Sequence, residues 1–261
     1  MNSTEKHILK GKSILKNFGG LQALSNVDFQ VKGGLIFAII GPNGAGKTTL
    51  FNLISGFDRD FEGEIIFNDE IISHRPPHVI TRKGVARTFQ NVRLFKNLTA
   101  LENVGVGCNG WISPRFSRAI FGIRAAKQED RIIKDFAREM LHFVGLAGKE
   151  NEEVESLPLG EQKLLEIARA LAAKPKLLLL DEPGAGLNDR EMESLKEIIY
   201  KSKEKGITQI IVEHNMKFIM SISDQIMVLN FGNRIADGSP EEIARNEKVI
   251  EVYIGREAES A

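Results

Sequence analysis

An apolar run over residues 35–40 leads directly into GPNGAGKTT at 41–49, and no other stretch constrains the fold of this chain as tightly. The spacing G-x-x-x-x-G-K-[ST] between a strand and a helix is that of a phosphate-binding loop. Such a loop curls around a triphosphate with its N–H groups turned inward. Gly41, Gly44 and Gly46 permit that path because they carry no Cβ. Pro42, Asn43, Ala45 and Thr49 complete the loop. Lys47 is spaced to reach the β and γ phosphates, and Thr48 to ligate Mg²⁺. The helix that follows, from Lys47 to about Ser55, aims its positive end at the same anion, and Gly56 stops it.

The rest of the chain has to supply a core around that loop. With 261 residues, 42% of them hydrophobic and 27% charged, one large α/β domain over 1–261 is expected. Lys plus Arg equals Asp plus Glu at 35 each, so no summed field calls for a nucleic-acid partner. The single cysteine, Cys108, excludes an internal disulfide and a Cys-rich metal site, and it reads as a small, half-buried apolar residue. No apolar run approaches the roughly 20 residues that cross a bilayer. The segment MNSTEKHILKGKSILK lacks the apolar core of a secretory signal, so a cytoplasmic location is expected.

Residues 13–18 and 27–31 gather β formers around the turn Gly19-Gly20, and 63–67 repeat the pattern. This predicts an antiparallel layer near the nucleotide. The runs 35–40, 176–180, 207–212 and 226–229 alternate with helical segments, as in a parallel sheet covered on both faces. Ile132, Ile133, Phe136, Ala137, Met140, Leu141 and Val144 recur at three- and four-residue spacing, which predicts an amphipathic helix over 127–146. With 99–106 and the segment after Gly160 it forms an expected helical insertion at about 92–173. The α/β core then occupies about 1–91 and 174–254, with a tail at 255–261.

A phosphate-binding loop alone serves GTPases, kinases, helicases and transporter motors, so the class must come from its companions. Asp181 and Glu182, closed by Pro183, stand at the end of an apolar strand. There Asp181 can hold a metal shell and Glu182 can polarise the water that attacks a γ-phosphate. LPLGEQKLLEIARALAAKP at 157–175 sets Gly160 at a helix start, where free N–H groups grip an anion. His214 follows the strand ending at Val212-Glu213, where an imidazole can sense a γ-phosphate. Taken alone, such a histidine is more often structural than functional.

In this order the motifs make the chain resemble the ATP-binding subunits of ABC transporters over nearly its full length, about 8–255. The resemblance implies a P-loop NTPase core, ATP and Mg²⁺ as ligands, and ATP hydrolysis as the activity. It gives Phe18 the aromatic position that stacks on adenine, with Ala23 beside it, although an aromatic before Gly-Gly can also fill a core corner. Gln90, in ARTFQNVRLF, takes the Q-loop position and joins Thr48 and Asp181 around the metal; its bland alternative is a solvated strand end. Glu182 matches the general base, His214 the switch histidine and residues 184–188 the D-loop. Leu159, Gly160 and Glu161 belong to the signature segment, which contacts ATP held by the opposing subunit.

The segments NVRLFKNLTALENV, DEPGAGLN, VEHNMKFIMSISDQIMVLNFGNRIADGSPEEI and NEKVIEVYIG are most similar to the first ATPase subunit of branched-chain amino acid importers. In that family two different ATPases pair beneath two membrane permease subunits, at the cytoplasmic face, and a solute-binding protein delivers the substrate. Urea and short-amide importers share most of these features. The chain departs from the usual LSGGQ by reading LPLGE at 157–161. Pro158 removes a hydroxyl and a backbone donor, and Leu159 adds bulk. This favours a heterodimer with a second ATPase subunit, with a homodimer as the alternative for the isolated chain. Trp111, Phe116 and Phe121, interleaved with Arg115, Arg118 and Arg124, read first as helical-layer core and second as a permease or lipid contact. A nucleic-acid or ribosome-associated member would carry two ATPase domains or a long coiled coil, and the sequence has neither. A non-hydrolysing regulatory module is opposed by Glu182 and His214.

Overall fold

The computed structural model describes residues 6–108 and 114–259, and the side chains of 6–108 and 128–253. The aromatic and arginine side chains noted at 111–124 lie outside the described residues. In chain order the strands are β1 His7–Phe18, β2 Leu21–Lys32, β3 Ile36–Ile40, β4 Glu62–Phe67, β5 Glu70–Ile71, β6 Val85–Arg87, β7 Leu177–Asp181, β8 Thr208–Val212, β9 Gln225–Asn230 and β10 Asn233–Gly238. The helices are α1 Lys47–Ile54, α2 Pro77–Lys83, α3 Ala100–Gly107, α4 Pro114–Phe143, α5 Leu159–Ala172, α6 Asp189–Glu204, α7 Met216–Ile222, α8 Pro240–Ala244 and α9 Glu247–Glu259.

The strands divide into an antiparallel sheet, β2-β1-β4-β5, and a larger sheet, β10-β9-β3-β8-β7-β6. In the larger one all pairs are parallel except β9 with β10. Successive side chains of a strand point to opposite faces, and this sheet uses both. Ile36, Ala38 and Ile40 of β3, with Leu178 and Leu180 of β7, join the core shared with the helices. Phe37 and Ile39, with Leu177 and Leu179, join the core shared with the antiparallel sheet. Burial on both faces is why these strands read as unbroken apolar runs rather than as alternation. The phosphate-binding loop leaves β3, an interior strand between its neighbours β9 and β8, buried at every position.

The antiparallel strands run longer than the sequence pattern indicates. β1 begins at His7 because a bulge, with Ser13 at φ 49°, breaks the alternation and lets the pairing with β2 continue. Asp28 Oδ1 holds the bulge by accepting from the Ser13 N–H at 2.9 Å. Gly11 is required there, since a Cβ would lie 2.1 Å from the Phe29 ring. Three strands escape the pattern altogether, one of them the two-residue β5. β6 is three residues long, and β10 is a polar edge strand.

The stretch between β6 and β7 is helical. α3 starts on a capping box, in which Thr99 Oγ1 accepts from the Glu102 N–H and the Glu102 carboxylate accepts from the Thr99 N–H. α4 ends at Phe143, three residues before the expected 146, because Gly145 takes a left-handed φ of 82°. Ala137, Met140, Leu141 and Val144 bury their stripe against Ala100, Val104, Leu165 and Ala168.

Candidate nucleotide site

Beyond Ile40 the chain cannot continue as a strand. Gly41 adopts φ 148°, and a Cβ on it would lie 2.1 Å from the Leu229 carbonyl. Gly46 turns at φ 103°, where a Cβ would meet the Ala23 carbonyl at 2.7 Å. Between them the loop wraps inward, and Lys47 Nζ donates to the carbonyls of Gly41 at 2.7 Å and Pro42 at 3.0 Å. No side chain caps the N-terminus of α1, so the dipole end faces the loop as an anion site.

A cleft of about 690 Å³ opens over this loop. Its lining brings together Asn43, Gly44, Ala45, Gly46, Lys47, Thr48 and Thr49 with Phe18, Ala23, Gln90, Glu182 and His214. Gly41, Pro42 and Asp181 are not part of the lining. Gly41 and Pro42 instead supply the carbonyls that hold Lys47. Leu159, Gly160 and Glu161 do not line the cleft either. They open α5, where Leu159 is exposed and the Glu161 carboxylate pairs with Lys149. A Cβ on Gly160 would lie 2.2 Å from Glu191 Oε1, so the first turn of α6 closes against the signature within the same chain.

Both carboxylate oxygens of Glu182 are engaged in the cleft. Oε1 lies 2.9 Å from His214 Nε2, and Oε2 accepts from Gln90 Nε2 at 2.9 Å. Its backbone is left-handed at φ 48°, a conformation that costs of order 1–3 kcal/mol for a non-glycine residue and survives only where neighbours fix it. They do so here. The Glu182 N–H donates to the Val212 carbonyl at 2.8 Å, and its carbonyl accepts from Lys163 Nζ at 3.1 Å. Burial pulls the Lys163 ammonium below its ordinary value, against the opposing pull of Glu213, Glu182 and Glu166. Glu213 in turn accepts from the N–H groups of Gly184 at 2.6 Å and His214 at 2.8 Å. The turn after β8 is thereby tied to the turn after β7.

Phe18, at the end of β1, is half exposed, with Lys16 Nζ 4.7 Å from the ring centroid. Leu21, Gln22 and Phe231 also line the cleft, and the sequence reading did not single them out. Phe231 sits at the β9–β10 turn with φ 43°, largely exposed, and Gly232 after it donates its N–H to the Ala45 carbonyl at 3.1 Å. An aromatic in an Asn-Phe-Gly-Asn turn was a visible signal for it. Lys163 and Glu213 carried no such signal, because the Glu182 carbonyl that Lys163 reaches and the Gly184 N–H that Glu213 accepts are brought near only by folding.

Comparison with known proteins bears on this geometry. The family model described as "ABC transporter" matches residues 24–185, from β2 through the turn after β7. The chain belongs to the ABC transporter ATPases. A second model, "Branched-chain amino acid ATP-binding cassette transporter", matches 233–259 of this ABC ATPase. The high-affinity branched-chain amino acid transport ATP-binding protein BraF of Pseudomonas aeruginosa is 43% identical over 249 residues, covering 95% of this chain and 98% of the relative. The crystal structure of a nucleotide-free ATP-binding cassette from an ABC transporter superposes with a TM-score of 0.83 at 34% identity, covering 95% and 99% of the two chains. A dimeric cassette in a post-hydrolysis state with ADP and phosphate gives 0.75 at 28% identity, covering 89% and 98%. The chain binds and hydrolyses ATP as members of this family do, and cassettes of the family dimerise.

Proposed function

We propose that this ABC ATPase drives uptake of branched-chain or other hydrophobic amino acids. In this reading it is paired with a second ATPase subunit beneath two membrane permeases that receive solute from a binding protein. The observation that carries the catalytic part is the meeting of the phosphate-binding loop, Glu182, Gln90 and His214 in one cleft. The substrate class rests on the relative's transport of branched-chain amino acids and on the family match at 233–259. Among the described residues no helix is long and apolar enough to cross a membrane, and attachment through permeases at the cytoplasmic face fits that.

The residues suit a magnesium ion. Asp181 is buried, and its Oδ1 has no hydrogen-bond partner among the described residues, a costly arrangement unless a cation serves it. Asp181, Thr48 and Gln90 would hold the ion, which when bound neutralises charge on the β and γ phosphates. Lys47, drawn from its two loop carbonyls, adds a second positive charge to the same phosphates. Phe18 offers its ring to the adenine, with Ala23 beside it. Glu182 polarises the attacking water, which requires freeing one carboxylate oxygen from Gln90 or His214. Leu159, Gly160 and Glu161 complete the site of the opposing subunit.

Uptake in cells lacking this chain tests the substrate class. Leucine, isoleucine and valine uptake should fall and return on re-expression, with urea uptake unchanged. Loss of urea or short-amide uptake instead would replace the amino-acid reading.

A further inference from the structure

β6 ends on Arg87, whose guanidinium lies against the metal-facing acid at the end of β7. Nη2 donates to Asp181 Oδ2 at 2.9 Å, with both side chains buried. Nη1 donates to Asn52 Oδ1 and to Ser55 Oγ, each at 2.8 Å, both near the end of the α1 helix that begins in the phosphate-binding loop. The Phe89 ring, one residue before Gln90, lies 5.1 Å from the guanidinium carbon. Asp181 Oδ1, the other carboxylate oxygen, is buried with no partner among the described residues. Thr88 Oγ1, just past the end of β6, accepts the Asp181 N–H at 3.3 Å, so two successive residues, Arg87 and Thr88, hold the side chain and the backbone of this acid.

We propose that Arg87 is a positioning residue for the metal: its planar fork fixes the Asp181 carboxylate by Oδ2 and ties it to α1, leaving Oδ1 as the oxygen that serves Mg²⁺. The proposal rests on the reading of Asp181 as a metal-binding acid. Two physical terms compete. A buried cation beside the carboxylate opposes a second cation through charge. It also holds in place a carboxylate for which no other side-chain donor is present among the described residues, and it compensates a charge that burial would make costly. The second term wins in this site, because Arg87 takes only one of the two oxygens and the other stays desolvated and oriented. Outer-shell donors of this kind are worth about 10- to 100-fold in metal affinity. A lysine can keep the charge but not the fork across Asp181, Asn52 and Ser55.

The test is the gain in nucleotide affinity that Mg²⁺ confers on the full chain, read as the ratio of Kd in EDTA to Kd in Mg²⁺ for a fluorescent ATP analogue. Thermal melting of each variant provides the folding control. In Arg87→Gln the gain should fall at least about tenfold, while the Kd in EDTA stays within about twofold. Arg87→Lys should give an intermediate gain, and it keeps the proposal testable should Arg87→Gln fail to fold. Asp181→Asn should abolish the gain. An unchanged or larger gain in the Arg87 variants, with the gain lost in Asp181→Asn, overturns the positioning role and leaves the metal reading standing. Equal loss of affinity with and without Mg²⁺ in folded Arg87 variants also overturns it. A full gain in Asp181→Asn defeats both readings.

Discussion

The Glu182 carboxylate has both oxygens engaged by side chains that the sequence places 92 and 32 residues away. His214 and Gln90 therefore share the proposed base, and in that reading each is a contact through which the nucleotide can reach it. Glu182→Gln keeps the shape of the side chain but removes the charge proposed to polarise water. Turnover should fall by roughly two orders of magnitude or more on general-base grounds while ATP affinity persists. Phosphate release alongside equilibrium titration of ATP measures both. Turnover close to that of the unmodified chain would remove Glu182 from the base position. The left-handed backbone of Glu182 adds a second constraint, since the turn aims the carboxylate only as long as Val212 and Lys163 hold it.

At the scale of elements, α5 opens on LPLGE, where the family pattern reads LSGGQ. Pro158 caps α5 with its carbonyl alone, accepting from the Gln162 N–H at 3.0 Å, and contributes no side-chain cap. Leu159 stands exposed beside Gly186, and Glu161 is engaged by Lys149. If this segment completes the opposing subunit's site as proposed, that site would lack one hydrogen bond to a charged phosphate, worth about 1.5–3 kcal/mol or roughly a ten- to hundredfold effect. Two copies would make two weakened sites, whereas a partner with an LSGGQ-like segment would serve Lys47 and Glu182 fully. Pro158→Ser with Leu159→Gly should then strengthen ATP-dependent self-association by a comparable factor in the Glu182→Gln background. Sedimentation with and without ATP reads it. Tight homodimers of the chain with its own LPLGE segment would show the asymmetry argument to be mistaken.

The whole molecule is organised by one sheet with two cores, and Cys108 reports on the larger of them. The residue reads from the sequence as half buried; in the structure it is fully enclosed with Ala137, Leu165 and Ala168 in the helical core. Burial pushes its thiol up to about 11, with Lys174 pulling the other way. At pH 8 about one thiol in a thousand is thiolate, and the ring of apolar side chains blocks reagents as well. Alkylation by iodoacetamide should be negligible in the folded chain and should follow the unfolding curve in denaturant. Rapid labelling under native conditions would mean that the helical layer opens independently of the sheet.

The chemistry of the cleft was written locally. The phosphate-binding loop, the Asp181-Glu182 pair and His214 each sit at the end of an apolar run, and a strand end is a place that period and composition reveal. The buried strands were equally legible, because a strand covered on both faces must be apolar at every position. The bulge at Ser13, the three-residue β6 and the polar β10 were not, since their strand character comes from a partner's hydrogen bonds rather than from their own side chains. Folding alone decided that Arg87, 94 residues from Asp181, is its ion-pair partner, and that Lys163 of the signature helix reaches the Glu182 carbonyl. Pairings of that kind depend on strand order and helix placement. The sequence fixes those only through the sum of all its contacts, and a single residue or its neighbours do not display them.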